Sequence, residues 1–325
     1  MSLFLNLAVV SGLMIQGVPA SVETVQAPGP SGPLQGTMVR PAGQSGPVVL
    51  IIPGSGPTDQ DGNNPLGVKA ASYKLLADGL AQHGITSVRI DKRGMFASKG
   101  ALANANDVTV DDYAADLHSW TDVLRRRTGA PCIWLLGHSE GGLVALAAAS
   151  KQASGICGLV LVSAPGRPLG DVLRQQLKAN PANAPVLDQA LATIDSIEAG
   201  RPVDAAALHP ALRPLFGPET RKFMSSLMSY DPAKLLGGQP RPVLVLQGQR
   251  DLQVTEEDAR RLKNGNAQAK LVIIPDANHV LKTVASDDRA ANLATYADPS
   301  LPLAPGVVEA IATFVKSSEA PGQQP

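Results

Sequence analysis

The chain has 325 residues, and Lys plus Arg equals Asp plus Glu at 28 each, so its formal net charge is zero. No basic patch or block of like charge points to nucleic acid, and the length suits one α/β domain with an insertion around a large core. Aromatics are 3% and charged residues 17%, so the core must be built from Leu, Val, Ile and Ala, as when small-residue helices lie close on a sheet.

The apolar run from Leu3 to Ala20 ends in Val18-Pro19-Ala20, which offers small residues at signal-peptidase positions. Residues 1–20 are therefore predicted to be a signal peptide, and the protein periplasmic or secreted. No Lys or Arg precedes the run, which keeps a cytoplasmic location as the alternative. Asn6, Ser11, Gly12, Gln16 and Gly17 interrupt the run and argue against a stable membrane span. Residues 21–33 are rich in Pro, Gly and Ser and read as a linker.

Strand and helix then alternate. Strands are predicted over 48–52, 86–90, 132–136, 158–162, 243–247 and 270–274. Helices are predicted over 70–83, stopped by Gly84, over 110–127 and over 307–315. The helix at 110–127 has Asp111 and Asp112 at its start and three arginines at its end, as the helix dipole favours. This alternation implies a doubly wound, mostly parallel sheet with right-handed crossovers. Residues 166–238 break it with prolines and helical stretches over 171–179 and 186–199, and are predicted to form a helical cap. The domain is expected to run over 34–316, with a disordered tail at 317–325.

The chemistry concentrates at the ends of the predicted strands. Gly137-His138-Ser139-Glu140-Gly141-Gly142 follows an apolar strand and precedes a helix of small residues. That is the context of a nucleophile elbow, in which glycines two residues before and after Ser139 permit a very sharp turn. The turn lifts the hydroxyl clear and places the Glu140 N–H where an oxyanion would form. A nucleophilic serine needs a base, and the base an orienting carboxylate. Of His83, His118, His138, His209 and His279, only His279 follows a second strand-plus-acid element. Asp251 ends the segment Gly248-Gln249-Arg250-Asp251, and Asn278-His279 ends the next strand's loop. Both sit at carboxyl ends of strands, the edge that carries sites in open parallel sheets. The order Ser139, Asp251, His279 is the α/β-hydrolase order.

On these segments, together with Pro53-Gly54-Ser55-Gly56-Pro57-Thr58-Asp59-Gln60-Asp61-Gly62-Asn63 and Asp91-Lys92-Arg93-Gly94, the chain resembles the α/β-hydrolase superfamily. Within it, the likeness is to small bacterial carboxylesterases near the dienelactone-hydrolase and serine-aminopeptidase groups, over roughly Leu34 to Lys316. The resemblance implies a Ser139–Asp251–His279 triad with oxyanion N–H groups from Ser55 and Glu140. Two positions depart from it. Relatives usually carry Arg where Gln60 stands and Gly where Phe96 stands, both near the mouth of the site, where they bear on substrate preference.

Gly54, Gly56, His138, Phe216, Phe223 and Met224 are the predicted substrate-contacting residues. His138 either touches substrate or packs, and each apolar cap residue either lines an acyl pocket or fills the cap's own core. The Glu140 side chain is expected to face outward. The Gly54-Ser55-Gly56 run lacks the Gly-Lys-Ser/Thr ending of a nucleotide loop. Asp59 and Asp61 lack a clustered His and are read as bracing their own loop. Asp91 and Arg93 are expected to brace the loop after their strand. Cys132 and Cys157 precede neighbouring strands and are read as two buried free thiols, because adjacent parallel strands seldom offer disulfide geometry, with an oxidised pair as the alternative if the chain is exported.

These features predict a serine hydrolase for small ester substrates, with short acyl groups, acting through an acyl-enzyme and needing no metal or organic cofactor. The alternatives are a peptidase or acyl-CoA thioesterase of the same fold, and a non-catalytic binding protein. A peptidase needs an anchor for a charged terminus, and the cap has only scattered acids: Asp188, Asp195, Glu198, Asp204 and Glu219.

Overall fold

The computed structural model describes residues 20–43 and 46–318. The predicted signal peptide lies almost wholly outside the described residues, as does the tail beyond 318. Eight strands form one sheet: β1 (Ser21–Ala27), β2 (Leu34–Arg40), β3 (Val48–Ile52), β4 (Thr86–Ile90), β5 (Ile133–His138), β6 (Ile156–Val162), β7 (Val243–Gly248) and β8 (Lys270–Ile274). Their order is β1-β2-β4-β3-β5-β6-β7-β8. The six strands from β4 to β8 are parallel, while β2 runs antiparallel to both β1 and β4.

The central strands are buried on both faces, so they read as continuous apolar runs. Val48, Leu50 and Ile52 of β3 face one core, and Val49 and Ile51 face the other. Helices α1 (Ser72–Gln82) and α11 (Val307–Ser317) cover the second face. Helices α2 (Val110–Thr128) and α3 (Glu140–Lys151) cover the first. Between β6 and β7 the chain inserts α4 (Leu169–Ala179), α5 (Leu187–Glu198), α6 (Arg213–Phe216), α7 (Pro218–Met228) and α8 (Pro232–Gly237). Helices α9 (Glu256–Gly265) and α10 (Arg289–Ala294) complete the set. Among the described residues no helix is long and apolar enough to cross a membrane.

The predicted linker is corrected. Residues 21–27 are β1, paired with β2 along its whole length. Pro and Gly fall only in residues 28–33, the hairpin connection, and averaging over 21–33 hid the β-branched residues Val22, Thr24 and Val25.

The expected free thiols are also corrected. Cys132 and Cys157 form a disulfide, with Cα atoms 5.1 Å apart. The strands are neighbours, but their register slips. Ile133 pairs with Ile156 while Trp134 pairs with Gly158, leaving Cys157 as an extra residue. That bulge frees Cys157 from the regular ladder and lets it meet Cys132, just before β5.

Candidate active site

Strand order reverses at β3, which has β4 on one side and β5 on the other. The loops after β3 and β5 therefore diverge, and such a switch point opens a crevice at the carboxyl edge. The loop after β3 carries Gly54 and Ser55, and the turn after β5 carries Ser139.

Ser139 has φ 54° and ψ −123°, a strained backbone for a residue with a side chain. Its N–H donates to the Val162 carbonyl at 2.9 Å, fixing the turn to β6. The flanking glycines are sterically required. A Cβ on Gly137 would overlap the Gly141 carbonyl, and one on Gly141 would lie 2.5 Å from the Ile52 carbonyl oxygen. Behind the turn, α3 contributes Ala145, Ala147, Ala148 and Ala149, small enough to press against the sheet.

Asp251 and His279 meet at this edge. His279 Nδ1 lies 2.8 Å from Asp251 Oδ2. Asp251 Oδ1 accepts from the N–H groups of Gln253 at 2.8 Å and Val254 at 2.9 Å. Burial alone would raise the Asp251 carboxyl, but His279 and these donors more than offset it, so its pKa is lowered. Asp251 is an anion that accepts, so His279 Nδ1 carries the proton and leaves Nε2 as the basic nitrogen. Asp276, next to the same loop, turns instead to Arg250, 3.3 Å away. Among the described residues, neither Ser139 Oγ nor His279 Nε2 has a hydrogen-bond partner.

His138 is not a substrate-facing residue, and that reading is corrected. It is 7% exposed, and both ring nitrogens are engaged within the protein. Nε2 lies 2.8 Å from the His279 carbonyl, which can only accept, so Nε2 carries the hydrogen. Nδ1 then accepts from Tyr73 Oη at 2.8 Å, and Tyr73 Oη accepts from the Gly54 N–H at 3.1 Å. Burial, reinforced by His279, pushes the His138 pKa down to about 3, so the ring stays neutral. Burial raises the Tyr73 phenol, which stays protonated. This chain runs from the loop after β3 to the backbone of the candidate base.

On the other flank, Glu140 is 8% exposed, which corrects the expectation of an outward side chain. Its carboxylate lies 3.5 Å from Lys92 Nζ, which donates to the Gly54 carbonyl at 2.8 Å. Among the described residues, the N–H groups of Ser55 and Glu140 have no partner. A Cβ on Gly54 would stand 3.2 Å from Ser139 Cβ, so this loop lies against the elbow. Gly54 is buried, with its own N–H and C=O both engaged inside the protein, whereas Gly56 is exposed, with φ 66°.

The surrounding loops brace one another. Asp59 accepts from the N–H groups of Asp61 and Asn63 at 2.9 and 2.8 Å, and Asp61 pairs with Arg89. Asp91 accepts from the Gln60 N–H at 2.8 Å and the Ala97 N–H at 3.2 Å. Arg93 binds Asp116 through two nitrogens, at 2.7 and 2.6 Å. Phe96 has φ 43°, a left-handed backbone that glycine adopts without strain.

Phe216 has no exposed surface and Met224 is 6% exposed; both lie with Ile194 and Leu227 in the core on the first face of the sheet, so neither is a pocket wall. Phe223 is only partly buried and packs edge-on against Tyr113, with ring centroids 5.7 Å apart. Lys92 Nζ lies 5.6 Å from the Tyr113 centroid, which brings Phe223 towards the Lys92–Glu140 flank.

Sequence reading missed Tyr73, Lys92 and Gln247. Gln247 lies one residue before the end of an otherwise apolar β7, and its Nε2 reaches Asp251 Oδ2 at 3.3 Å and the Val254 carbonyl at 2.8 Å. A lone amide in a buried strand was the available signal. Among the described residues, no three His, Cys, Asp or Glu side chains cluster as metal ligands.

An elbow at the switch point of a mostly parallel sheet defines the α/β-hydrolase class of fold. Within that class, the chain belongs to the family described as Serine aminopeptidase, S33, which matches residues 66–283. Among curated proteins it is similar to Esterase EstD of Thermotoga maritima, at 28% identity over 246 residues and 72% of this chain. The chain spans about half of that relative, 54% of its length. Among solved structures, Est1E from Butyrivibrio proteoclasticus has 16% identity and a TM-score of 0.56, covering 91% of this chain and 98% of that one. A thermophilic esterase from Thermogutta terrifontis (malate bound) has 20% identity and a TM-score of 0.54, covering 92% and 100%. Both solved structures share the fold.

Proposed function

We propose that the chain hydrolyses carboxylic esters with short acyl groups through an acyl-enzyme on Ser139. The observation that carries this reading is the Asp251–His279 hydrogen bond of 2.8 Å at the crevice that also holds the strained Ser139 turn. His279 Nε2 takes the proton from Ser139 Oγ as the oxygen attacks the ester carbonyl. Asp251 keeps His279 in the required tautomer and stabilises the imidazolium. The N–H groups of Ser55 and Glu140 receive the oxyanion. His279 then gives its proton to the leaving alcohol, and water activated by the same nitrogen releases the acid. The likeness to Esterase EstD supports ester substrates. The Tyr113–Phe223 pair sets bulky rings near the oxyanion flank, which supports a preference for short acyl chains.

The family description favours a second reading, an aminopeptidase. Against it, two acids of the insertion that might anchor an amino terminus, Asp195 and Glu198, are held by Arg174 at 2.5 and 2.6 Å. Hydrolysis of p-nitrophenyl esters, acyl-CoA thioesters and aminoacyl amides by one preparation separates the readings. The ester reading expects p-nitrophenyl acetate or butyrate to give the highest kcat/KM. Faster turnover of aminoacyl amides would replace it with the peptidase. We also propose export to an oxidising compartment, supported by the Cys132–Cys157 disulfide. Thiol labelling of freshly lysed cells tests this, since two reactive thiols in the native chain would place it in the cytoplasm.

A further inference from the structure

Lys92 is a buried cation that the reaction above does not use. It is 6% exposed and sits between Asp91, which holds the loop after β3 through the Gln60 N–H, and Arg93, which is tied to Asp116 of α2. Its ammonium has two polar partners, the Gly54 carbonyl at 2.8 Å and Glu140 Oε1 at 3.5 Å. These partners lie on the two segments that carry the free N–H groups. The Gly54 carbonyl and the Ser55 N–H are opposite ends of one peptide unit, and Glu140 supplies the other N–H.

Resting on the ester-hydrolase reading, we propose that Lys92 is a positioning residue that aims both oxyanion donors and polarises that of Ser55. A cation at the carbonyl end of a peptide draws electron density from its N–H, which strengthens that N–H as a donor. The same contact fixes the plane of the Gly54–Ser55 peptide, and so the direction in which the Ser55 N–H points. The Glu140 carboxylate balances the buried charge, and its contact with Lys92 ties the first turn of α3 to the loop after β3. The two donors thus share one anchor, at little reorganisation cost when the oxyanion forms. Tyr73 Oη accepts from the Gly54 N–H, in the preceding Pro53–Gly54 peptide, so the loop is gripped on both sides of Gly54.

The test is Lys92→Met, read by kcat and KM on p-nitrophenyl acetate and by the Ki of a trifluoromethyl ketone. That ketone adds to the serine and places an oxyanion in the hole. The expected result is a kcat lower by about 10- to 100-fold, less than the loss of a direct donor, with KM within about twofold. The ketone's Ki should rise by the same factor as kcat/KM falls. In a folded Ser55→Pro background, where that N–H is absent, Lys92→Met should cost less than about a third as much. A purely structural role would lower the melting temperature without moving Ki in step with kcat/KM. Should Lys92→Met fail to fold because Glu140 is left unpaired, Lys92→Met/Glu140→Gln removes both charges and is read in the same way. A folded variant with parent kcat and Ki, or a full effect in the Ser55→Pro background, overturns the proposal. Ser139→Ala is run beside them. If it keeps activity, the ester-hydrolase reading fails and this proposal falls with it; if it is dead while the Lys92 variants match the parent, only the Lys92 assignment fails.

Discussion

The carboxyl edge of the sheet and the insertion between β6 and β7 are held by different forces. At the edge, buried polar groups are joined by contacts of fixed direction. Gly54, Tyr73, His138 and His279 form one hydrogen-bonded chain, and Lys92 bridges Gly54 to Glu140. The insertion's apolar residues Phe216, Ile194 and Leu227 join the core that lies on the first face of the sheet. Its polar ties lie near the surface, as with Arg174 and Glu198, or join it to the main domain, as when Arg167 grips Asp258 through two bonds of 2.8 Å. Buried directional contacts are costly to break, and exposed ion pairs contribute little. The edge is therefore built to fix a geometry, while the insertion's exposed ion pairs can change at small cost.

Asp251→Asn should break the edge most severely. An amide at that position presents the wrong partner to His279 Nδ1, and turnover should fall about 10⁴-fold. The check is kcat at constant fold, monitored by circular dichroism. A loss confined to Asp276→Asn would instead make Asp276 the orienter.

The disulfide offers the converse case. It lies at the amino ends of β5 and β6, on the edge of the sheet opposite Ser139. Closing a loop with a sequence separation of 25 is worth about 3.5 kcal/mol in the chain-entropy account. Cys132→Ser/Cys157→Ser should lower denaturation stability by about that amount and leave kcat/KM unchanged in the folded protein. A matching fall in kcat/KM would show that the two edges are coupled.

The smallest effect is expected in the insertion. Phe223→Ala should shift the preference toward longer acyl esters by about 1–3 kcal/mol in relative kcat/KM, a graded change measured over a chain-length series. An unchanged profile would put the acyl pocket away from Tyr113 and Phe223.

Legibility in the sequence followed the same division. The Gly137–Gly141 spacing is imposed by backbone overlap, so the turn announced itself. The parallel strands announced themselves because both faces are buried. Tyr73, Lys92 and the inner role of His138 did not, because their partners lie 19 to 141 residues away and no local pattern encodes such contacts. Phe216 and Phe223 read alike as apolar cap residues, and only packing separates core from candidate wall. The disulfide stayed hidden because it depends on a one-residue slip in register.

The central claim is that Ser139 is the nucleophile served by His279. Its most direct test is stoichiometric reaction with diethyl p-nitrophenyl phosphate, followed by peptide mapping. The account predicts one p-nitrophenol released per chain, a diethylphosphoryl adduct on Ser139, and neither burst nor ester hydrolysis in a folded Ser139→Ala variant. An adduct on another residue, or Ser139→Ala activity within about tenfold of the parent, would contradict it.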